Sequence, residues 1–285
     1  MTYITELLKA VIFGIIQGIT EWLPISSTGH LILANQFLML KQSEAFINLF
    51  LVVIQFGSIL AVVTLYFHKL NPFSPRKNKA EKNDTWRMWV RVIAAVIPTA
   101  IIGLIFDDII EKYLSTPLVV ALALIVYGIL FIIVERQRRE VKVTSIAEMS
   151  FKTAVIIGFC QALAIIPGTS RSGATILGAV LIGTSREVAA EFSFFLAIPV
   201  MFGASLLRCI KYFMEYGFGF ENGGGWILLV GTAVSYIVSV FAIRFLMGYI
   251  RKHDFTAFGY YRIILGALII LYFAFTGGLL TGMQV

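Results

Sequence analysis

"AIIPGTSRSGATILGAVLIG", residues 164–183, decides the fold. Apolar residues flank a short polar knot, and within the knot Arg171 sits between two serines, beside two glycines and a proline. Proline and glycine interrupt a helix at that point, yet the walls on either side are as apolar as a membrane segment. The chain around this stretch has 285 residues, 59% hydrophobic and 14% charged, with mean hydropathy +0.88. A soluble domain carries about 25% charged residues. That shortfall, with apolar runs of about twenty residues, predicts a polytopic all-α membrane protein. The runs lack the alternation of a β-barrel. No polar stretch is long enough for a soluble domain, so residues 1–285 read as a single integral membrane domain.

Other features narrow the class. The N-terminal segment lacks a basic leader and carries Glu6 and Glu21, so it does not read as a cleaved signal peptide. Cys160 and Cys209 lie in apolar surroundings without zinc-site spacing, which suits packing. A net charge of +7 suggests loops facing anionic membrane lipid, with no nucleic-acid partner.

Six runs are long enough to cross a bilayer: 46–67, 88–106, 117–134, 188–207, 226–246 and 261–280. Two regions, 4–40 and 153–183, are apolar but broken midway. In the second, 14 residues precede Pro167 and 11 follow the knot. Such helices reach about 21 and 17 Å, roughly half of a 30 Å hydrocarbon core. The expected architecture is therefore six transmembrane helices plus two re-entrant helix–loop–helix hairpins. Irregular backbone at that depth must line a cavity or be buried in protein. The loops alternate in charge. Segment 68–91 carries seven Lys and Arg, 107–116 is acidic and 135–152 is basic again, which orients them in, out, in.

The halves, about 1–145 and 146–285, repeat each other. "GIIQGITEWLPISSTGH" (14–30) aligns with "GFCQALAIIPGTSRSG" (158–173), and "QFGSILAV" (55–62) with "EFSFFLAI" (191–198). Three full spans per half is an odd number, so the second half is inverted. Broken helices in such repeats place their ends near the midplane. The two knots should therefore meet.

Their side chains suggest chemistry. A charge at membrane depth costs about 2.5–3.5 kcal/mol on insertion scales. Arg171 also opens a half-helix, where the dipole disfavours a cation unless an anion joins it. Phosphate suits best, because the guanidinium fork matches its oxygens in pairs. The first knot supplies Gln17 and Glu21 on one helix face, with Ser26, Ser27, Thr28 and His30 following. A phosphoanhydride held by Arg171 could be attacked by Ser27, by His30, or by water activated by Glu21. A divalent metal on Glu21 would neutralise developing charge. Glu21 and Arg171 could instead form a purely structural ion pair. Glu191 could pair with Arg171 or touch substrate or metal.

The stretches "QGITEWLPISSTGH" and "PGTSRSGAT" resemble the two signature motifs of the bacterial undecaprenyl-diphosphate phosphatase family, integral membrane proteins linked to bacitracin resistance. Gln17 stands where that family has Glu or Gln, and Pro167 to Thr175 match throughout. The resemblance implies hydrolysis of undecaprenyl diphosphate to undecaprenyl phosphate, recycling the lipid carrier of peptidoglycan synthesis. It implies Glu21, Ser27, His30 and Arg171 as the catalytic set. Gln17, Ser26, Thr28, Ser170, Ser172 and Thr175 would hold substrate, and Glu21 would bind Mg²⁺ or Ca²⁺. It also implies the bacterial plasma membrane, with the site opening to the outer side. A homodimer is compatible with it.

Three rival readings remain at this point. A transporter or flippase would need Arg171 but no nucleophile. A phosphatase of the acid-phosphatase type would need a second intramembrane histidine, and the sequence places His68 and His253 in loops. A channel would need neither Glu21 nor His30.

Overall fold

The computed structural model describes residues 2–280, except 138, 218, 221 and 222. Its helices are α1 (Thr2–Thr20), α2 (Ser27–Leu38), α3 (Glu44–Leu65), α4 (Phe67–Leu70), α5 (Lys79–Leu114) and α6 (Pro117–Arg136). There follow α7 (Phe151–Ala162), α8 (Arg171–Leu181), α9 (Arg186–Tyr216), α10 (Gly224–Ile250) and α11 (Thr256–Thr276), with a 3₁₀ turn at Leu163–Ile165. Among the described residues there is no strand, only an isolated bridge between Val143 and Thr184. Among the described residues, seven helices are long and apolar enough to cross a membrane. The chain is a multi-pass membrane protein.

Seven candidates stand where the sequence suggested six. The seventh is α1, the arm before the first break; its 19 residues span about 28 Å, a whole bilayer core rather than half. Helices α5 and α9 also run past both ends of the expected spans 88–106 and 188–207, and each carries an internal proline, Pro98 or Pro199. Helix α5 begins early because Asn78 and Glu81 form a reciprocal capping box. The expected acidic loop at 107–116 is mostly the last turns of α5; the side chains of Asp107, Asp108 and Glu111 lie outside the described residues.

Both broken segments fold into hairpins whose ends meet. Lys9 Nζ on α1 donates to Met39 O beyond α2 at 2.7 Å, and Lys41 N donates to Glu6 Oε2 at 2.7 Å. In the second hairpin, Lys142 N and Val143 N donate to Gly183 O, and Ser185 N donates back to Val143 O. The exit of α8 is thus tied to the segment that leads into α7.

The turns themselves match. Ser26 and Ser170 are the non-glycine residues with positive φ among those described, both at 71°. That conformation costs a side chain about 1–3 kcal/mol. Each serine offsets it by capping the next helix, accepting from Gly29 N at 3.3 Å and Gly173 N at 3.1 Å. Helix α1 packs on α10 and α7 on α5 with backbones nearly touching. A methyl at Gly14 would lie 2.6 Å from Gly231 O, and one at Gly158 would strike the Ala95 backbone. Small residues at such crossings are how membrane helices gain packing. Trp22, Phe131, Phe192, Phe194, Phe195 and Phe255 fill the main core beside the two turns.

Candidate active site

The end of α1 and the start of α8 build one buried cluster around the Glu21 carboxylate. Gln17 and Glu21 are one helical turn apart, and Gln17 Nε2 donates to Glu21 Oε2 at 2.9 Å. Ser27, the first residue of α2, donates Oγ–H to the same oxygen at 3.0 Å. Arg171 Nη2 approaches the other oxygen, Oε1, at 3.0 Å. Side-chain exposures of 13% for Arg171 and 6% for Glu21 make this a largely desolvated pair, far stronger than a surface contact. Arg171 is held further by Ser193 O, which accepts from Nη1 at 2.8 Å, and its guanidinium lies 5.4 Å from the Trp22 ring centre. Trp22 packs edge-on to Phe194. Ser172 Oγ donates to Glu21 O at 3.1 Å and lies 3.2 Å from Ser170 Oγ. The two knots therefore meet, side chain to side chain and side chain to backbone.

Some of the residues singled out from sequence stand apart from that cluster. The hydroxyls of Ser26 and Ser170 cap α2 and α8. Thr175 donates to Arg171 O at 2.7 Å, one turn back, and is buried. Thr28 is half-buried in the first turn of α2. His30 bonds elsewhere: Nδ1 lies 2.8 Å from Ser26 O and Nε2 2.7 Å from Tyr261 OH. Glu191 joins neither Arg171 nor the cluster. It pairs with Lys69 at 2.8 Å, because α4 turns that lysine back over α9.

Comparison with known families turns this geometry into an assignment. The family described as "Bacitracin resistance protein BacA" matches residues 10–268. The chain belongs to the BacA family. An undecaprenyl-diphosphatase of Streptococcus thermophilus is 58% identical over 272 residues, covering 95% of this chain and 94% of the relative. Another, of Enterococcus faecalis, is 57% identical over 273 residues, covering 95% and 99%. Undecaprenyl-diphosphatase 1 of Clostridioides difficile is 56% identical over 269 residues, covering 94% and 96%.

In this BacA-family chain a second intramembrane arginine, which the sequence reading missed, joins the knots. Arg262 on α11 is fully buried. It donates from Nη1 to Pro24 O at 3.2 Å, and from Nη2 to Gly168 O at 3.1 Å and Thr169 O at 2.8 Å. One guanidinium thus holds the backbone of both turns. A methyl at Gly173 would lie 2.8 Å from its Nη1, which keeps that position small. The signal was present in "YYRIILGA", an arginine in an apolar run, but the expected span began at 261 and put it at a membrane edge. Observed α11 starts five residues earlier, at Thr256, and carries Arg262 inward.

The donor set also bears on a metal. No group of three or more His, Cys, Asp or Glu stands together among the described residues, so a closed protein cage does not fit. Mg²⁺ ordinarily takes one or two carboxylates and completes its shell with water and substrate phosphate. Glu21 supplies the carboxylate. Gln17 Oε1, buried and without a donor, would be a second hard oxygen one helical turn away. A substrate-completed cation fits these residues.

Proposed function

We propose that this BacA-family protein hydrolyses undecaprenyl diphosphate to undecaprenyl phosphate and inorganic phosphate, recycling the lipid carrier of peptidoglycan synthesis. The observation that carries the reading is the Ser27 hydroxyl donated to the Glu21 carboxylate, with Arg171 on the other oxygen. A hydroxyl bonded to a base, beside a cation at a helix start, is the arrangement that phosphoryl transfer uses. Bare transport of an anion would need Arg171 alone.

The terminal phosphate of the substrate would sit at the start of α8. The helix N-terminus and Arg171 favour its charge there, and Arg171 Nε, buried and unpartnered, offers a free donor. Ser27 Oγ attacks the terminal phosphorus as Glu21 takes the hydroxyl proton. The bond from phosphorus to the bridging oxygen breaks, and undecaprenyl phosphate leaves with that oxygen. Water then attacks the phosphoserine, yielding inorganic phosphate and restoring Ser27, with Glu21 and His30 sharing the proton transfers. His30 is the weaker nucleophile candidate, since both ring nitrogens are already engaged. A divalent cation such as Mg²⁺ or Ca²⁺, held by Glu21 and Gln17, would supply neutralisation of the diphosphate charge. Moving a C55 tail out of lipid would cost about 0.8 kcal/mol per CH₂, so chemistry inside the bilayer suits this substrate.

We read the fold as two inverted repeats, each with one re-entrant hairpin, with the site opening to the outer side. Several features support this reading. The breaks share a φ of 71° and a serine cap. Gly14 against α10 mirrors Gly158 against α5, and Gly128 and Gly259 each abut the other's carbonyl across α6 and α11. The basic segments 68–91 and 135–152 suit a cytoplasmic face opposite that opening.

The test is phosphate release from undecaprenyl diphosphate by purified protein in detergent. The reading expects release that Ser27→Ala abolishes and that Arg171→Lys, which loses the planar fork, lowers roughly 10- to 100-fold. Full activity in Ser27→Ala would overturn the assignment of the nucleophile. No release by folded protein that binds the lipid would overturn the enzymatic reading.

A further inference from the structure

We infer that Tyr261 is a positioning residue for His30, fixing the imidazole tautomer that carries its hydrogen on Nδ1 and keeps Nε2 as the nitrogen that can exchange a proton. The inference deepens the phosphatase reading above and rests on it for its activity arm alone.

Ser26 O is a carbonyl and can only accept, so at 2.8 Å His30 Nδ1 must carry the hydrogen. In the neutral ring Nε2 is then a bare lone pair, and at 2.7 Å the Tyr261 hydroxyl must donate to it. The rings lie 5.6 Å apart with planes 7° from parallel, and the Tyr261 hydroxyl reaches Nε2 at 2.7 Å. A tyrosine hydroxyl also accepts. When Nε2 takes a proton, the same hydroxyl can rotate and receive the N–H without either ring moving. His30 can thus gain or lose a proton at Nε2 while Nδ1 stays fixed on the turn that carries Ser27.

The position of Tyr261 is itself imposed by its neighbour. Arg262 binds the carbonyls of Pro24, Gly168 and Thr169. That clamp sets the height and rotation of α11 against both knots, and Tyr261 is one residue away on the same helix. The clamp is buried, whereas Tyr261 is 44% exposed. A half-exposed ring gains little from burying its hydroxyl, so the bond to His30 is the reason for a hydroxyl there.

The chain has three histidines, which makes the test direct. In a His68→Gln, His253→Gln background labelled with ¹⁵N-histidine, the one remaining imidazole is His30. The expected spectrum, in nanodiscs without substrate, has a protonated Nδ1 and a bare, hydrogen-bonded Nε2. Tyr261→Phe keeps the ring and should shift the Nε2 resonance and mix the tautomers. With undecaprenyl diphosphate, kcat should fall about 10- to 100-fold, the scale of partners that orient a functional histidine, with KM little changed. A protonated Nε2 with bare Nδ1 in the Tyr261 protein, or an unchanged spectrum in Tyr261→Phe, overturns the inference. So does a shifted spectrum with unchanged kcat, or a loss confined to KM. Absence of phosphate release from the Tyr261 protein would count against the phosphatase reading instead, since the spectrum needs no turnover.

Discussion

Replacing Glu21 by glutamine should make the protein bind its substrate more tightly and turn it over far more slowly. The carboxylate now accepts from Gln17 Nε2, Ser27 Oγ and Arg171 Nη2. A carboxamide can keep its oxygen on Arg171 and turn its NH₂ toward Gln17, whose Oε1 is free to accept after a flip. Ser172 bonds the main-chain oxygen of Glu21, which the change leaves alone. The fold should therefore survive with an unneutralised Arg171. Two anions sharing one guanidinium lie about 5 Å apart, and at an effective dielectric near 20 their repulsion is about 3 kcal/mol, roughly 100-fold in affinity. Without divalent metal, Glu21→Gln should bind farnesyl diphosphate tighter by up to that factor, measured by calorimetry in EDTA. In Mg²⁺ the gain should shrink, because the variant loses the carboxylate that would hold the metal. Phosphate release should fall about 10²- to 10⁴-fold, the usual contribution of a general base. Weaker binding in EDTA together with retained turnover would refute both the repulsion and the base.

Other outcomes follow from the packing. Arg262→Met should lower stability in detergent by several kcal/mol, read as a lower melting temperature, since unsatisfied buried carbonyls at Pro24, Gly168 and Thr169 cost about 1–3 kcal/mol each. An unchanged melt would show that the clamp is idle. Gly158→Ala should destabilise strongly because its methyl meets the Ala95 backbone, whereas Gly203→Ala, with nothing within 4 Å, should be neutral or slightly stabilising. Thermal melts of the two variants side by side decide this. Glu191→Gln should leave phosphate release unchanged, because its partner is Lys69 and not the Arg171 cluster; a loss of turnover would return Glu191 to the site.

What could be read from the chain alone was whatever local chemistry determines. The breaks at Pro24 and Pro167 were legible because proline, serine and glycine interrupt apolar runs, and the Gln17–Glu21 pairing because four residues make one helical turn. The meeting of the knots was expected from the similarity read between the two halves of the sequence. Length was less legible: α5 and α9 continue beyond both ends of their apolar runs through polar and charged residues, which hydropathy alone does not mark as helix. Partners far apart in sequence stayed hidden. Nothing local joins His30 to Tyr261, or Lys69 to Glu191, and Arg262 was missed because the boundary of its span was drawn one residue before it.

The central claim is that Ser27 attacks the diphosphate, so that phosphorus is displaced twice in each turnover. The stereochemical course at phosphorus tests it whether or not an intermediate accumulates. Undecaprenyl diphosphate made chiral at its terminal phosphorus with sulfur and ¹⁸O would be hydrolysed in ¹⁷O-water, and the configuration of the released thiophosphate determined. Two displacements predict net retention. Net inversion would mean that water attacks directly and that Ser27 only binds.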